Sequence, residues 1–402
     1  MSRQLLIAGG GIGALAAALS SARAGWQVRL YEKAEVFSEV GAGLQLGPNA
    51  TRILQGWGLG QALERLAAFP DKLLVRSAPS GRELASLSLG SRCQRRYGAP
   101  YATLHRADLH SMLLDSVRLR PEVKLHLNSP VTGYTDTPEG VQLAWADGYS
   151  VEGDALIGAD GLWSQVRLQA LEDHVAQPTG HLAYRALVRQ SDLPTSLRSQ
   201  QVSVWLGPDM HLVSYPVRGG EWLNVVCLTE GQMHGVANHD LQNWNLSKSF
   251  TETRADLQSA LTGACTHLQA LVEACDNWRL WPLYDRPPIQ NAAQHVQGRV
   301  ALVGDAAHPM RPYLAQGAGM AIEDAAELAH QWTRLANQDV RQRFAAFAQA
   351  RWQRNARVQA RAIRNGEIFH ATGLMQWARD VGLRSAGKRL MDIPWLYGYL
   401  SA

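Results

Sequence analysis

The chain has 402 residues, 46% of them hydrophobic and 18% charged, with a formal net charge of +4. This is the composition of a globular enzyme with two to three domains' worth of core. The absence of a long basic run argues against a nucleic-acid partner. The four cysteines, Cys93, Cys227, Cys265 and Cys275, form no C-x-x-C pair, which argues against a zinc or disulfide framework and fits a reducing cytoplasm.

At the N-terminus, Arg3, the apolar run 5–19 and Ala22-Arg23-Ala24 have the outline of a secretory signal. Four glycines interrupt that apolar region and a strand follows it directly, so a nucleotide-binding unit fits better. No other stretch reaches the roughly 18 apolar residues of a spanning helix, so no membrane span is expected. Residues 4–8 read as a buried strand, 13–24 as an Ala/Leu-rich helix and 27–31 as a second strand. This βαβ start calls for a parallel sheet. Between strand and helix lies Gly9-Gly10-Gly11-Ile12-Gly13-Ala14, which fits G-x-G-x-x-G/A. Gly9 permits the tight turn, Gly11 lets backbone approach a pyrophosphate, and small Ala14 allows close helix–strand packing. The helix N-terminus offers free N–H groups to phosphate. Glu32, 23 residues after Gly9, ends the second strand beside Lys33, where an acid hydrogen-bonds a ribose hydroxyl. The competing reading is a glycine-rich helix entry with no ligand.

Further along, residues 41–50 (Gly41 to Ala50) form a glycine-rich loop opening a helix. His105-Arg106-Ala107-Asp108-Leu109 precedes helical spacing over 108–118. An apolar strand at 154–157 runs into Gly158-Ala159-Asp160-Gly161-Leu162-Trp163-Ser164-Gln165-Val166-Arg167. Residues 181–189, 201–206, 211–217 and 221–229 are β-rich and separated by Gly/Pro turns, the pattern of an antiparallel sheet. A strand at 300–303 then leads into Gly304-Asp305-Ala306-Ala307-His308-Pro309, continues through Pro312, and reaches Gly317-Ala318-Gly319 at the head of a helix over 318–335. Residues 370–402 read as a mostly helical tail.

Taken together, these segments resemble the aromatic-ring flavoprotein monooxygenases, the para-hydroxybenzoate hydroxylase-like group, and within it salicylate hydroxylases and 3-hydroxybenzoate 6-hydroxylases. The resemblance runs from residue 5 to about 325, and weakly into 395–399. It implies an α/β fold: a discontinuous Rossmann-like FAD-binding domain (1–75, 100–178, 288–368), an inserted antiparallel β-sheet substrate domain (76–99, 179–287) and a C-terminal helical tail (369–402). It also implies FAD as cofactor, NADH or NADPH as co-substrate, and dioxygen delivered to a small aromatic ring through a flavin hydroperoxide. Asp160 would hold backbone and arginine groups near the pyrophosphate, and Asp305 would accept from the ribityl hydroxyls. N–H groups of Gly317, Ala318 and Gly319 would face the flavin pyrimidine, with Pro312 beside the ring. Gly43 and Leu44 would lie on the loop along which the flavin moves, and Arg106 would neutralise phosphate. His308 reads as a packed, hydrogen-bonded histidine.

His211 and Tyr215 are four residues apart on a strand and share one face. Ionising a phenol at pH 7 costs about 4 kcal/mol, and a histidine can take that proton, directly or through Tyr215. Interior packing is the equal alternative. Arg185 and Arg218 are further candidates for holding a carboxylate, with Arg218 better placed at the surface. Other readings are a halogenase, an epoxidase, a quinoline or N-heteroaromatic hydroxylase, a reductase, or a flavin-binding protein without turnover. Trp278-Arg279-Leu280-Trp281-Pro282 does not match the halogenase W-x-W-x-I-P. The apolar tail offers a homodimer surface.

Overall fold

The computed structural model describes residues 3–37, 42–231 and 250–400, so Gly41 of the glycine-rich loop lies outside the described residues. Six strands form the first sheet, in the order Val296–Gln297, Val300–Leu302, Ala155–Gly158, Gln4–Ala8, Gln27–Tyr31, Val123–His126. All neighbours are parallel except the first pair. Leu5, Leu6 and Ile7 are fully buried, as the continuous apolar run of a strand covered on both faces requires.

The helix Ile12–Arg23 buries ten residues, because it lies against the sheet on one side and two other helices pack on it. Its partner Gly317–Arg334 comes so close that a Cβ on Gly13 would lie 3.5 Å from Ala321 Cβ. Each fully buried leucine here contributes about 1.5–3 kcal/mol of transfer free energy.

The second sheet has seven strands: Arg279–Asp285, Gln177–Arg189, Trp222–Glu230, Met210–Val217, Val202–Gly207, Lys72–Ser77, Glu83–Ser88. It departs from the purely antiparallel expectation at one join, where Val202–Gly207 and Lys72–Ser77 run parallel. The expected cuts at 75/76 and 178/179 fall inside Lys72–Ser77 and Gln177–Arg189. Both strands belong whole to this sheet. The glycine-rich loop is likewise more ordered than expected: Gly43–Leu46 is a strand paired with Ala102–His105. A small three-stranded sheet (Gly133–Asp136, Val141–Ala144, Ser150–Gly153) was not legible in the sequence.

One long helix, Val340–Phe369, ties the two sheets together. Asp339 and Gln342 close a capping box at its start. At about 1.5 Å per residue it spans about 45 Å. Its middle therefore reaches the helix Gly317–Arg334, and its end delivers Phe369 and His370 to the seven-stranded sheet. The tail continues as Gly373–Met391 and Pro394–Tyr397. No helix among the described residues is long and apolar enough to cross a membrane.

Candidate active site

A cleft opens between the two sheets, and residues distant in sequence meet in it. One wall is the glycine turn. Gly9 adopts φ +111°, and a Cβ there would lie 2.3 Å from the Ala159 carbonyl oxygen, so only glycine fits. Gly11 and Gly13 line the cleft just beyond. Facing them is the start of Gly317–Arg334. Its first intrahelical bond is donated by the Met320 N–H to Gln316, which leaves the N–H groups of Gly317, Ala318 and Gly319 without an intrahelical partner. Gly317 and Ala318 line the cleft, as does Asp305. The Asp305 carboxylate is exposed to the cleft and makes no hydrogen bond or ion pair among the described residues. A cradle closed to any Cβ, an uncommitted carboxylate and a helix N-terminus suit a dinucleotide whose phosphates and flavin need close backbone approach. The residues present therefore fit FAD. Arg106, Gly43 and Leu44 line the same cleft, and so does Pro312.

The opposite wall is the second sheet. His211, Val213 and Tyr215 alternate on the strand Met210–Val217 and all face the cleft. Val226 and Leu228 stand opposite Val213 and His211 on the next strand. Arg185, opposite Val226 on the third strand, completes the surface. Its guanidinium lies 4.5 Å from the Trp281 ring, and its Nε is buried without a hydrogen-bond partner. Burial lowers its pKa to about 10, still leaving it cationic at neutral pH. Burial pushes the Tyr215 phenol up, with Arg185 pulling it back. The His211 imidazole is held well below 6.5, first by burial and then by neighbouring His370 and His181. His211 is thus a neutral base. No hydrogen bond joins it to Tyr215; its Nδ1 lies 2.8 Å from His370 Nε2.

Other expected residues sit away from the cleft lining. Ala14 is fully buried in the first core. Glu32 accepts from the Ala34 N–H at 2.9 Å, and a Cβ on Gly10 would lie 2.8 Å from its Oε2, which places it behind the glycine turn. Lys33 is exposed. The Asp160 carboxylate is consumed internally, accepting from Ser164 Oγ and from the N–H groups of Gln165 and Val166. It caps a helix start and holds no arginine; Arg167 pairs instead with Asp173 at 2.8 Å. A Cβ on Gly319 would lie 3.2 Å from Gln316 Oε1 and 3.6 Å from Ala50 Cβ of the helix Pro48–Gly56. Arg218 is at the surface with Asp108. His308 is buried, with Nε2 2.5 Å from Asp324.

Sequence reasoning missed the second layer. Asp324 and Glu323 receive Arg351 at 2.8 Å each, and Arg354 binds Glu323 from 2.6 Å. Burial opposes ionisation of Asp324, but His308 and Arg351 outweigh it and hold its pKa far below the carboxylate range. Asn49 bonds Glu323 and Gln316, tying this network to the helix start that lines the cleft. Behind His211 lie His370, Phe369, Tyr313 and His181. A recurring acid–arginine pattern across two helices is the one signal that could have revealed the first group; nothing local marks the second.

Residues 2–362 match the family described as FAD binding domain. A 3-hydroxybenzoate 6-hydroxylase of Polaromonas naphthalenivorans (strain CJ2) is 37% identical over 98% of this chain and 96% of its own length. A 6-hydroxynicotinate 3-monooxygenase of Bordetella bronchiseptica is 35% identical over 89% of each chain. Among solved structures, HpxO of Klebsiella pneumoniae complexed with FAD and uric acid superposes with a TM-score of 0.84. It has 25% identity, covering 96% of this chain and 94% of that one. A glycine cradle, a free carboxylate and a helix start around one cleft, matched nearly end to end by these relatives, make the chain a member of the FAD-binding family of flavoprotein aromatic monooxygenases.

Proposed function

We propose that the protein hydroxylates a small phenolic ring bearing a carboxylate, with FAD as cofactor and NADH or NADPH and dioxygen as co-substrates. The observation that carries this reading is the pairing, across one cleft, of a flavin-type cradle with a neutral histidine and a buried arginine. The bound flavin supplies reduction by NAD(P)H and the activation of dioxygen. The chain's own residues do the rest. Asp305 and the N–H groups of Gly317 and Ala318 hold the cofactor, and Arg106 lies where phosphate needs a cation. The first-turn dipole favours negative charge on the reduced ring. Arg185 orients the substrate carboxylate. Its Nε, otherwise unpaired, is satisfied on binding. His211 accepts the phenol proton, which makes the ring electron-rich, and Tyr215 lines the path. Pro312, Val213, Val226 and Leu228 exclude water, which protects the activated oxygen from unproductive release. Its place in the cytoplasm fits four cysteines without a disulfide, and exposed Leu374, Met375 and Trp377 on the tail helix are our candidate surface for a homodimer.

The test is a panel of hydroxybenzoates, salicylate, 6-hydroxynicotinate and hydroxyquinolines, scored for stimulated NAD(P)H oxidation and for product mass. An added oxygen with a carboxylated phenol, and no stimulation by the matching non-acidic phenol, is the expected result. A yellow protein that no ring stimulates would point to flavin binding without turnover.

A further inference from the structure

We infer that His211, His370 and Glu230 form a proton exit from the substrate pocket to solvent, with Glu230 selecting the tautomer that makes His211 a base. This rests on the hydroxylase reading above. His211 lines the pocket, and its Nδ1 lies 2.8 Å from His370 Nε2. His370 follows the last residue of the helix Val340–Phe369. Its Nδ1 is 3.7 Å from Glu230 Oε1 and has no closer partner. The Glu230 side chain is 53% exposed, whereas His370's is 3% exposed, so the carboxylate is where the buried pair meets water.

The orientation follows from electrostatics. A carboxylate beside Nδ1 favours a proton on that nitrogen and repels a lone pair. With Nδ1 protonated, neutral His370 presents a lone pair at Nε2. The shared hydrogen bond is then donated by His211 Nδ1–H, and His211 keeps its lone pair on Nε2, the nitrogen left for the cavity. The opposite tautomer would leave His211 with an N–H there and no capacity to accept a proton. Burial, helped by His181 and Arg379, holds His370 at about 3, so a proton crosses the pair without resting on it.

The balance is simple. The phenol O–H bond breaks and its proton joins His211 Nε2. His211 Nδ1 passes its proton to His370 Nε2, and His370 Nδ1 passes its own to the Glu230 carboxylate, and on to water, once this exposed side chain closes the 3.7 Å gap to hydrogen-bond distance. A phenolate remains in the pocket and one proton leaves. Reverse flow, when the hydroxylated product is reprotonated, restores both tautomers. The other titratable groups around His370 are His181, with ring centres 5.0 Å apart, Tyr313 at 5.9 Å, Asp209, whose N–H bonds the His370 carbonyl, and Arg379, which binds the carbonyls of Ile368 and Phe369. Tyr313 bonds His181 at 2.7 Å, and no hydrogen bond among the described residues links it to His211, so it is not part of this path.

The test uses the FAD-loaded enzyme in weak buffer with a pH-indicator dye, mixed rapidly with 3-hydroxybenzoate or 6-hydroxynicotinate. Wild type should release a proton on binding. Glu230→Gln and His370→Phe should slow that release roughly a hundredfold, the low end of a general-base contribution, with ligand affinity little changed. Glu230→Asp should recover most of the rate, and added imidazole buffer should rescue Glu230→Gln, which a structural defect would not allow. Glu230 is exposed, so its variants test the path even if His370→Phe folds poorly. A wild type that releases a proton and hydroxylates, with Glu230→Gln equally fast and insensitive to buffer, would overturn the exit alone. A wild type that ionises neither probe would overturn the functional reading and the exit with it.

Discussion

Beneath the helix Gly317–Arg334, fully buried Arg351 is bonded to both Glu323 and Asp324, and Asn355 and His308 fill remaining sites on Asp324. Behind the opposite wall of the cleft, buried His211 and His370 share one hydrogen bond and carry no charge. Both clusters take polar groups out of water, but by opposite routes. The first keeps every charge and pairs it, which fixes a helix start against the cofactor cleft. The second stays neutral, which leaves its protons free to move. Charged, fully paired groups suit positioning; neutral, weakly committed ones suit chemistry.

Removing the cation is the harshest way to break this contrast. Arg351→Met leaves two buried carboxylates without their partner and should destabilise the fold by about 3–5 kcal/mol, measured by urea denaturation of the FAD-loaded protein. A loss below 1 kcal/mol would show that the network is not charged as drawn. On the neutral side, His211→Phe preserves packing but leaves His370 Nε2 without its partner, so it should cost about 1–3 kcal/mol of stability. Its hydroxylation rate should fall about a hundredfold, or about 2.7 kcal/mol, read as product formed per second at saturating ring substrate. Unchanged turnover would return His211 to the core.

Two smaller effects sharpen the division between the walls of the cleft. Arg185→Met should raise KM for the carboxylated ring about tenfold, the scale of one hydrogen bond to a charged group, and leave KM for its non-acidic analogue unchanged. Asp305→Asn should weaken FAD binding by about 1 kcal/mol, seen by flavin fluorescence titration, without altering substrate preference. Equal effects of Arg185→Met on both rings would remove it from recognition.

The last prediction concerns pH. His370 is held at about 3 in the folded chain against 6.5 when unfolded, because burial and then its neighbours disfavour the cation. A lowered folded pKa gives stability that is complete above pH 6.5 and is lost as pH falls toward 3. Relative to wild type, His370→Asn should therefore lose less stability between pH 7 and 5.5, by about 1 kcal/mol. Denaturation midpoints at the two pH values measure it.

How legible each part was follows from the range of its interactions. The glycine turn, the strand before it and the helix after it are contiguous, and the Gly9 conformation follows from local sterics. Their place could be read directly. The places of Asp305 and of the helix start at Gly317 were legible for the same reason, since the strand end at Leu302, a turn and the helix start follow one another directly along the chain. By contrast, nothing next to Asp160 shows that its carboxylate accepts from the backbone N–H groups of Gln165 and Val166 at the start of the following helix. Gly319, expected beside the flavin, has Gln316, Ala50 and Asn49 as the nearest neighbours of a Cβ there.

The sequence by itself therefore determined a nucleotide cradle, the parallel sheet that carries it and the cofactor class, because these rest on short-range backbone geometry and apolar periodicity. Only the tertiary structure decided which side chains line the cleft opposite the glycine turn and what stands behind them. Arg185, His211 and Tyr215 share a face across three strands, and His370 meets His211 across 159 positions of chain. Such contacts are set by sheet register and by the length of the helix Val340–Phe369, and neither quantity is encoded near the residues that it brings together.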